Sequence, residues 1–171
     1  MFTMKLYTKI SVFLLILLFG GLTGCIKEQQ YPLEPHIEYQ GFATDTAVDG
    51  KDSLGLIKIS YTDGDGNIGL FASDTVEPYK YNFYLKLMQQ IDGQMVEVKP
   101  VDTNVTFNAR IPLLTPVGRN KNIKGEITMT LELYFASQIL QSDIIAFEIY
   151  IKDRDLNKSN VITTPAFKIR I

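Results

Sequence analysis

Tyr61–Asp74 reads YTDGDGNIGLFASD, with Asp63, Asp65 and Asn67 at every second position, then Gly69, then Asp74. Counted from Asp63, these residues fall at positions 1, 3, 5, 7 and 12 of a twelve-residue calcium loop. In such a loop alternating Asp and Asn oxygens and one backbone carbonyl supply the hard ligands that calcium requires. The same residues also have a plainer chemistry. Asp-Gly and Asn are turn formers, because Gly accepts positive φ and Asp or Asn side chains bond their own backbone. Departures from the EF-hand pattern are specific: Ile68 stands where that loop needs Gly, Asp74 replaces a bidentate Glu, and the flanks do not read as helices.

Other reactive groups are sparse. Cys25 is the only cysteine and His36 the only histidine, and there is no tryptophan. No nucleophile elbow, HExxH, P-loop or glycine fingerprint is present, so no catalytic residues are assigned and the chain is expected not to be an enzyme. Asp63 with Asp153 is the one carboxylate pair that would imitate a glycosidase, but loops at the end of a small sandwich seldom form a deep cleft. EPYKYNFY places Tyr79, Tyr81 and Tyr84 close together. Exposed, they would stack on a sugar or a protein partner; buried, Tyr81 joins the core and Tyr79 closes a strand end.

The elements that must position these side chains read as strands. LGLIKISYT puts Ile57, Ile59 and Tyr61 on one face, and YNFYLKLMQQ aligns Phe83, Leu85 and Leu87. IDGQ is a hairpin turn of type I′, and MVEVK returns from it. VTFNARI predicts a further strand, and the prolines and glycines of PLLTPVGRNKNIKG mark a long loop. EITMTLELYF alternates most cleanly, with Ile127, Met129, Leu131 and Leu133 inward. DIIAFEIYIKD gives Ile145, Phe147, Ile149 and Ile151, or their neighbours, to the core, and NVITTPAFKIRI closes with Phe167, Ile169 and Ile171 in period two. FASQILQSD holds at most one helical turn. The expectation is all-β: an antiparallel sandwich of seven or eight strands over residues 36–171, with a small barrel as the alternative.

Before this domain, Lys5 and Lys9 precede an apolar run, Ile10–Leu22, too short to span a bilayer core of ~30 Å as a helix. Leu22, Thr23, Gly24 and Cys25 then resemble the lipobox of bacterial lipoproteins. That resemblance implies a signal peptide over 1–24, lipidation of Cys25 and a membrane partner reached through its acyl chains. Several chains are needed for stable anchoring, since one is marginal. Cleavage before Cys25 removes two lysines and no acid, moving the net charge from −2 to −4. That balance argues against nucleic acid as a partner. Residues 25–35, with Pro32 and Pro35, read as a lipidated tether. Ile26 in place of Asp directs the chain away from inner-membrane retention, so an outer-membrane location is expected, facing either the periplasm or the surface.

KDRDLNKSNVITTP, Lys152–Pro165, looks like the last hairpin of bacterial immunoglobulin-like and fibronectin-III-like domains. With TDGDGNIG and the lipobox, the chain resembles Bacteroidota-type cell-envelope lipoproteins carrying one such domain. It lacks the core disulfide and the Trp of antibody domains. The resemblance implies a non-catalytic binding or structural module with an envelope protein or glycan as partner; the alternative is a glycan-binding accessory of a polysaccharide-uptake system.

The fold also bears on the first loop. If Leu54–Thr62 and Asp143–Lys152 are the second and sixth strands of an immunoglobulin-like sandwich, the loops after them share a pole. Asp153, Asp155 and Asn157 would then join Asp63 and Asp65, and like charges at short range must be separated, paired or bridged. A shared calcium site relieves them; so does Arg154 pairing with Asp63 or Asp65. The sequence favours the turn with its ion pair and expects no cofactor, leaving Ca2+ as the alternative.

Overall fold

A computed structural model describes residues 30–100, 106–114 and 122–171. The lipobox residues Leu22, Thr23, Gly24 and Cys25 lie outside them, as does most of the loop that follows Ile111. Eight strands are described: β1 His36–Thr46, β2 Asp52–Asp63, β3 Phe83–Ile91, β4 Gln94–Glu97, β5 Ile123–Glu132, β6 Ile144–Ile151, β7 Ile162–Thr163 and β8 Phe167–Lys168. They form two antiparallel sheets, β1-β2-β5 and β4-β3-β6 with both β7 and β8 on β6. The order is that of an immunoglobulin-like sandwich, the chain crossing between sheets after β2, β4 and β5.

Period-two burial builds the core between the sheets. Ile57 and Ile59 from β2 meet Phe83, Leu87, Ile145, Phe147, Ile149 and Ile151 from the facing sheet, all fully buried. Phe42 packs its ring 5.2 Å from Phe147 and 4.7 Å from Phe167, tying the sheets at the far end. The β3–β4 turn is the expected hairpin: Asp92 at φ 49° and Gly93 at φ 79° both take the left-handed conformation that a type I′ turn requires.

Four local expectations change. VTFNARI forms no strand among its described residues, only a bridge from Ala109 to Phe83, because Asn108 Oδ1 takes the Leu85 N–H that a backbone carbonyl would have filled. Leu133 is buried, but it begins a short helix, α1 Leu133–Ser137, rather than continuing β5. The last segment is split into β7 and β8 around Pro165, which cannot donate to a ladder, and Ile171 ends exposed. The tether is already docked at Tyr31 and Pro32: Tyr31 N–H donates to Asn122 Oδ1 at 2.9 Å and Gly64 N–H to the Pro32 carbonyl at 2.8 Å. A Cβ on Gly64 would sit 2.3 Å from the Tyr31 carbonyl oxygen, so only glycine admits this crossing. Among the described residues no helix is long and apolar enough to cross a membrane.

Candidate metal centre

Strands β2 and β6 end side by side at one pole, and each releases an aspartate there as its pairing stops. Asp63 is the last residue of β2, paired to Ile123, and Asp153 lies two residues beyond Ile151. Carboxylate oxygens of Asp63, Asp65 and Asp153 all lie within 4.8 Å of one another. Asp63 is 0 % and Asp153 1 % exposed, while Asp65 is half-buried.

The hydrogen bonds orient this cluster without satisfying it. Asp63 Oδ2 accepts the Asn67 N–H at 2.8 Å. Asn67 Nδ2 donates to Asp65 Oδ2 at 2.9 Å and to Asp155 Oδ2 at 3.0 Å. Asp153 accepts from Asn157 twice, Oδ1 from its N–H and Oδ2 from its Nδ2, each at 2.8 Å. Three buried oxygens have no hydrogen-bond partner among the described residues: Asp63 Oδ1, Asp65 Oδ1 and Asn67 Oδ1. Because the amide nitrogen of Asn67 already faces two carboxylates, its oxygen could not exchange places with it without setting oxygen against oxygen. A buried acceptor left unmade costs ~1–3 kcal/mol, and more when charged.

The electrostatics agree with the geometry. Burial, then the Asp65 charge, raises the Asp63 carboxyl to about 6; hydrogen bonds from the Asn67 and Ile68 N–H groups oppose this, and Asp153 adds to it. Asp153 is raised by burial as well, against its bonds from Asn157, with Asp65 and Asp155 contributing. Asp52, at the opposite end of β2, is an internal comparison. It is only 5 % exposed, and burial likewise pushes its carboxyl up. Yet it sits below the ordinary value because Arg170, donating from its backbone at 2.9 Å and from Nη2 at 2.8 Å, together with the Thr46 hydroxyl outweighs burial. One buried aspartate has its cation within the chain; the other pole has none in contact among the described residues.

Arg154 does not fill that role. Its Nη1 donates to the Gly69 carbonyl at 2.9 Å and its guanidinium lies 5.3 Å from the Phe71 ring centre. The expected pairing with Asp63 or Asp65 is therefore absent among the described residues. Asp74 is not brought into the cluster either. Its Oδ2 accepts the Phe71 N–H at 2.9 Å, and its carbonyl is one of four that the Arg110 guanidinium gathers, with Phe71, Tyr79 and Lys80. A twelve-residue count presupposes helical flanks, and here the flank is a strand. Asp155, exposed, orients Asn67 from outside.

The tyrosines also separate. Tyr79 contributes its carbonyl to Arg110, Tyr81 is half-buried, and the Tyr84 ring stacks on Tyr150, ring centres 4.6 Å apart and 7° from parallel, meeting Tyr81 only at its backbone carbonyl. Tyr150 went unnoticed in sequence; its outward alternation between Ile149 and Ile151 was visible, its partner was not. His36 lies exposed, 3.9 Å from Glu38.

No protein-family model matches the chain, and comparison with curated proteins and with solved structures returned no match. What the pole can do follows from its donors. They are hard oxygens with no sulfur or imidazole among them, a set suited to calcium or magnesium rather than zinc or copper. The Asp63–Asp153 pair is too enclosed for a glycosidic oxygen to reach, whereas a bare cation is small enough.

Proposed function

We propose that this chain is a lipid-anchored, non-catalytic binding module of the cell envelope, held to the outer membrane through Cys25, whose sandwich carries a calcium ion between the loops after β2 and β6. The observation that carries the cation is the convergence of Asp63 Oδ1, Asp65 Oδ1 and Asn67 Oδ1, buried and unpartnered, beside the Asp153 carboxylate. Calcium accepts irregular shells of carboxylate, amide and water oxygens, while magnesium demands a near-ideal octahedron and sheds water reluctantly. The ion's role is structural: it ties together two loops that are 88 residues apart at Asn67 and Asp155.

Thermal unfolding of the full lipidated chain in neutral detergent tests this. An extracellular-type site with Kd on the order of 10⁻⁴–10⁻³ M, at ten times its Kd in calcium, gains roughly 1.4 kcal/mol by linkage. For a domain of this size that raises Tm by about 3–6 °C. The rise should vanish in Asp63→Asn with Asp65→Asn. If magnesium or matched ionic strength raises Tm equally, the loop is only a turn.

A further inference from the structure

The outer face of the five-stranded sheet differs from that of its partner. On the three-stranded sheet the outward side chains include Glu38, Ser60 and Thr128, with Lys58 neutralised by Glu126 at 2.7 Å. On the five-stranded sheet, register places Tyr84 directly opposite Tyr150. The Tyr84 hydroxyl donates to the Tyr81 carbonyl at 3.0 Å, which holds the stacked pair in place. Lys152 Nζ stands 5.4 Å from the Tyr84 ring and Lys158 Nζ 4.1 Å from the Tyr150 ring. Neither lysine makes an ion pair among the described residues, although the chain is acidic overall. The two are bridge partners on neighbouring segments, and their ammonium groups flank the stacked rings, Lys152 at Tyr84 and Lys158 at Tyr150. Along the flank of Tyr84 runs a cleft of about 310 Å³, its walls including Asn108, Thr106, Glu97 and the Lys86–Glu148 pair.

We propose that this face is a subsite for an acidic saccharide, a uronate-bearing chain with one ring in the cleft against Tyr84 and neighbouring carboxylates on Lys152 and Lys158. A rigid aromatic flank offers a sugar ring apolar contact at small entropic cost. Amide, hydroxyl and carboxylate groups in the walls match sugar hydroxyls, which both donate and accept. The two ammonium groups, without an ion pair among the described residues, supply charge complementarity and select an anionic polymer over a neutral one. A membrane surface fits less well, since the rings are half-buried and lie beside a concavity rather than projecting as apolar wedges. The proposal names a ligand for the binding role above and is independent of the cation, so it is tested without one.

The full lipidated chain in neutral detergent, with EDTA present, is run through native gels containing polygalacturonate, its carboxyl-reduced form, or no polymer. Retardation by polygalacturonate alone is expected. Lys152→Gln with Lys158→Gln should weaken it at least tenfold at unchanged Tm, and Tyr84→Ala should do likewise. If Tyr84→Ala fails to fold, the lysine variant carries the test, because Lys158 is exposed and Lys152 only half-buried, and Gln keeps most of the side-chain length. No retardation, equal retardation by the carboxyl-reduced polymer, or an undiminished lysine variant would overturn the proposal. So would displacement of the polymer by phosphatidylglycerol vesicles but not phosphatidylcholine ones, which would assign the face to lipid. Loss of the calcium-dependent Tm rise leaves these outcomes unaffected, so the two readings fail separately.

Discussion

At the scale of single residues, Asp63 and Asp52 are the same side chain at the two ends of β2, both buried, with opposite titration. The consequence for stability is opposite too. A carboxyl whose folded value lies near 6, above its unfolded value of about 4, binds its proton more tightly in the native state. Metal-free protein should therefore lose stability as pH rises through about 6, and gain it again as pH falls toward 4. Asp52, lowered by Arg170, contributes stability above its unfolded value that is lost at more acidic pH. Urea titrations at pH 5 and 7.5 in EDTA should show the metal-free Asp63→Asn variant flattening the first dependence. Calcium should reverse it for the native chain, since a cation favours the ionised form. Asp52→Asn should cost about 1.5–3 kcal/mol, the worth of hydrogen bonds to a charged group, with no effect on calcium response. A native chain whose stability is flat between those two pH values would mean that Asp63 has a partner in solution.

At the scale of elements, alternation was the legible part. Ile57 and Ile59 in β2, and Ile145 to Ile151 in β6, are buried as their period requires. The second-and-sixth-strand assignment, which follows from that pattern, puts DGDGN and DRDLN at one pole, and Asn67 does reach Asp155 across it. What periodicity leaves unread is register and partner choice. Tyr84 against Tyr150 and Asp52 against Arg170 depend on pairings 66 and 118 residues apart in the chain, which no local spacing encodes. Asn108 shows the same limit, since an amide in a strand-like run displaced the ladder it was expected to join. Strand β5, the cleanest alternation, lies at a sheet edge, while β2 is central. Ile59→Ala should accordingly cost ~3–5 kcal/mol and Leu131→Ala about 2–3, near the low end for buried aliphatics. Thr130→Ala, exposed beside Leu131, should stay within ~0.5 kcal/mol. Urea melts with Leu131→Ala as costly as Ile59→Ala would show that the edge assignment is mistaken.

At the scale of the whole molecule, the anchor and the sandwich have to be considered together. Cys25→Ser should leave precursor that no longer incorporates labelled palmitate; continued incorporation would remove the basis for an envelope location. The docking of the tether has a mechanical consequence. Tyr31 and Pro32 are fastened at Asn122 and Gly64 before β1 begins, so a pull through the proposed lipid anchor would enter the domain one residue from Asp63 and Asp65. The far end of the chain, at Arg170, is fastened to Asp52 at the opposite pole. With the proposed anchor, the joint nearest the membrane would be the acidic loop itself. An ion seated there would serve as a rivet, setting the force at which the tether tears free of the fold.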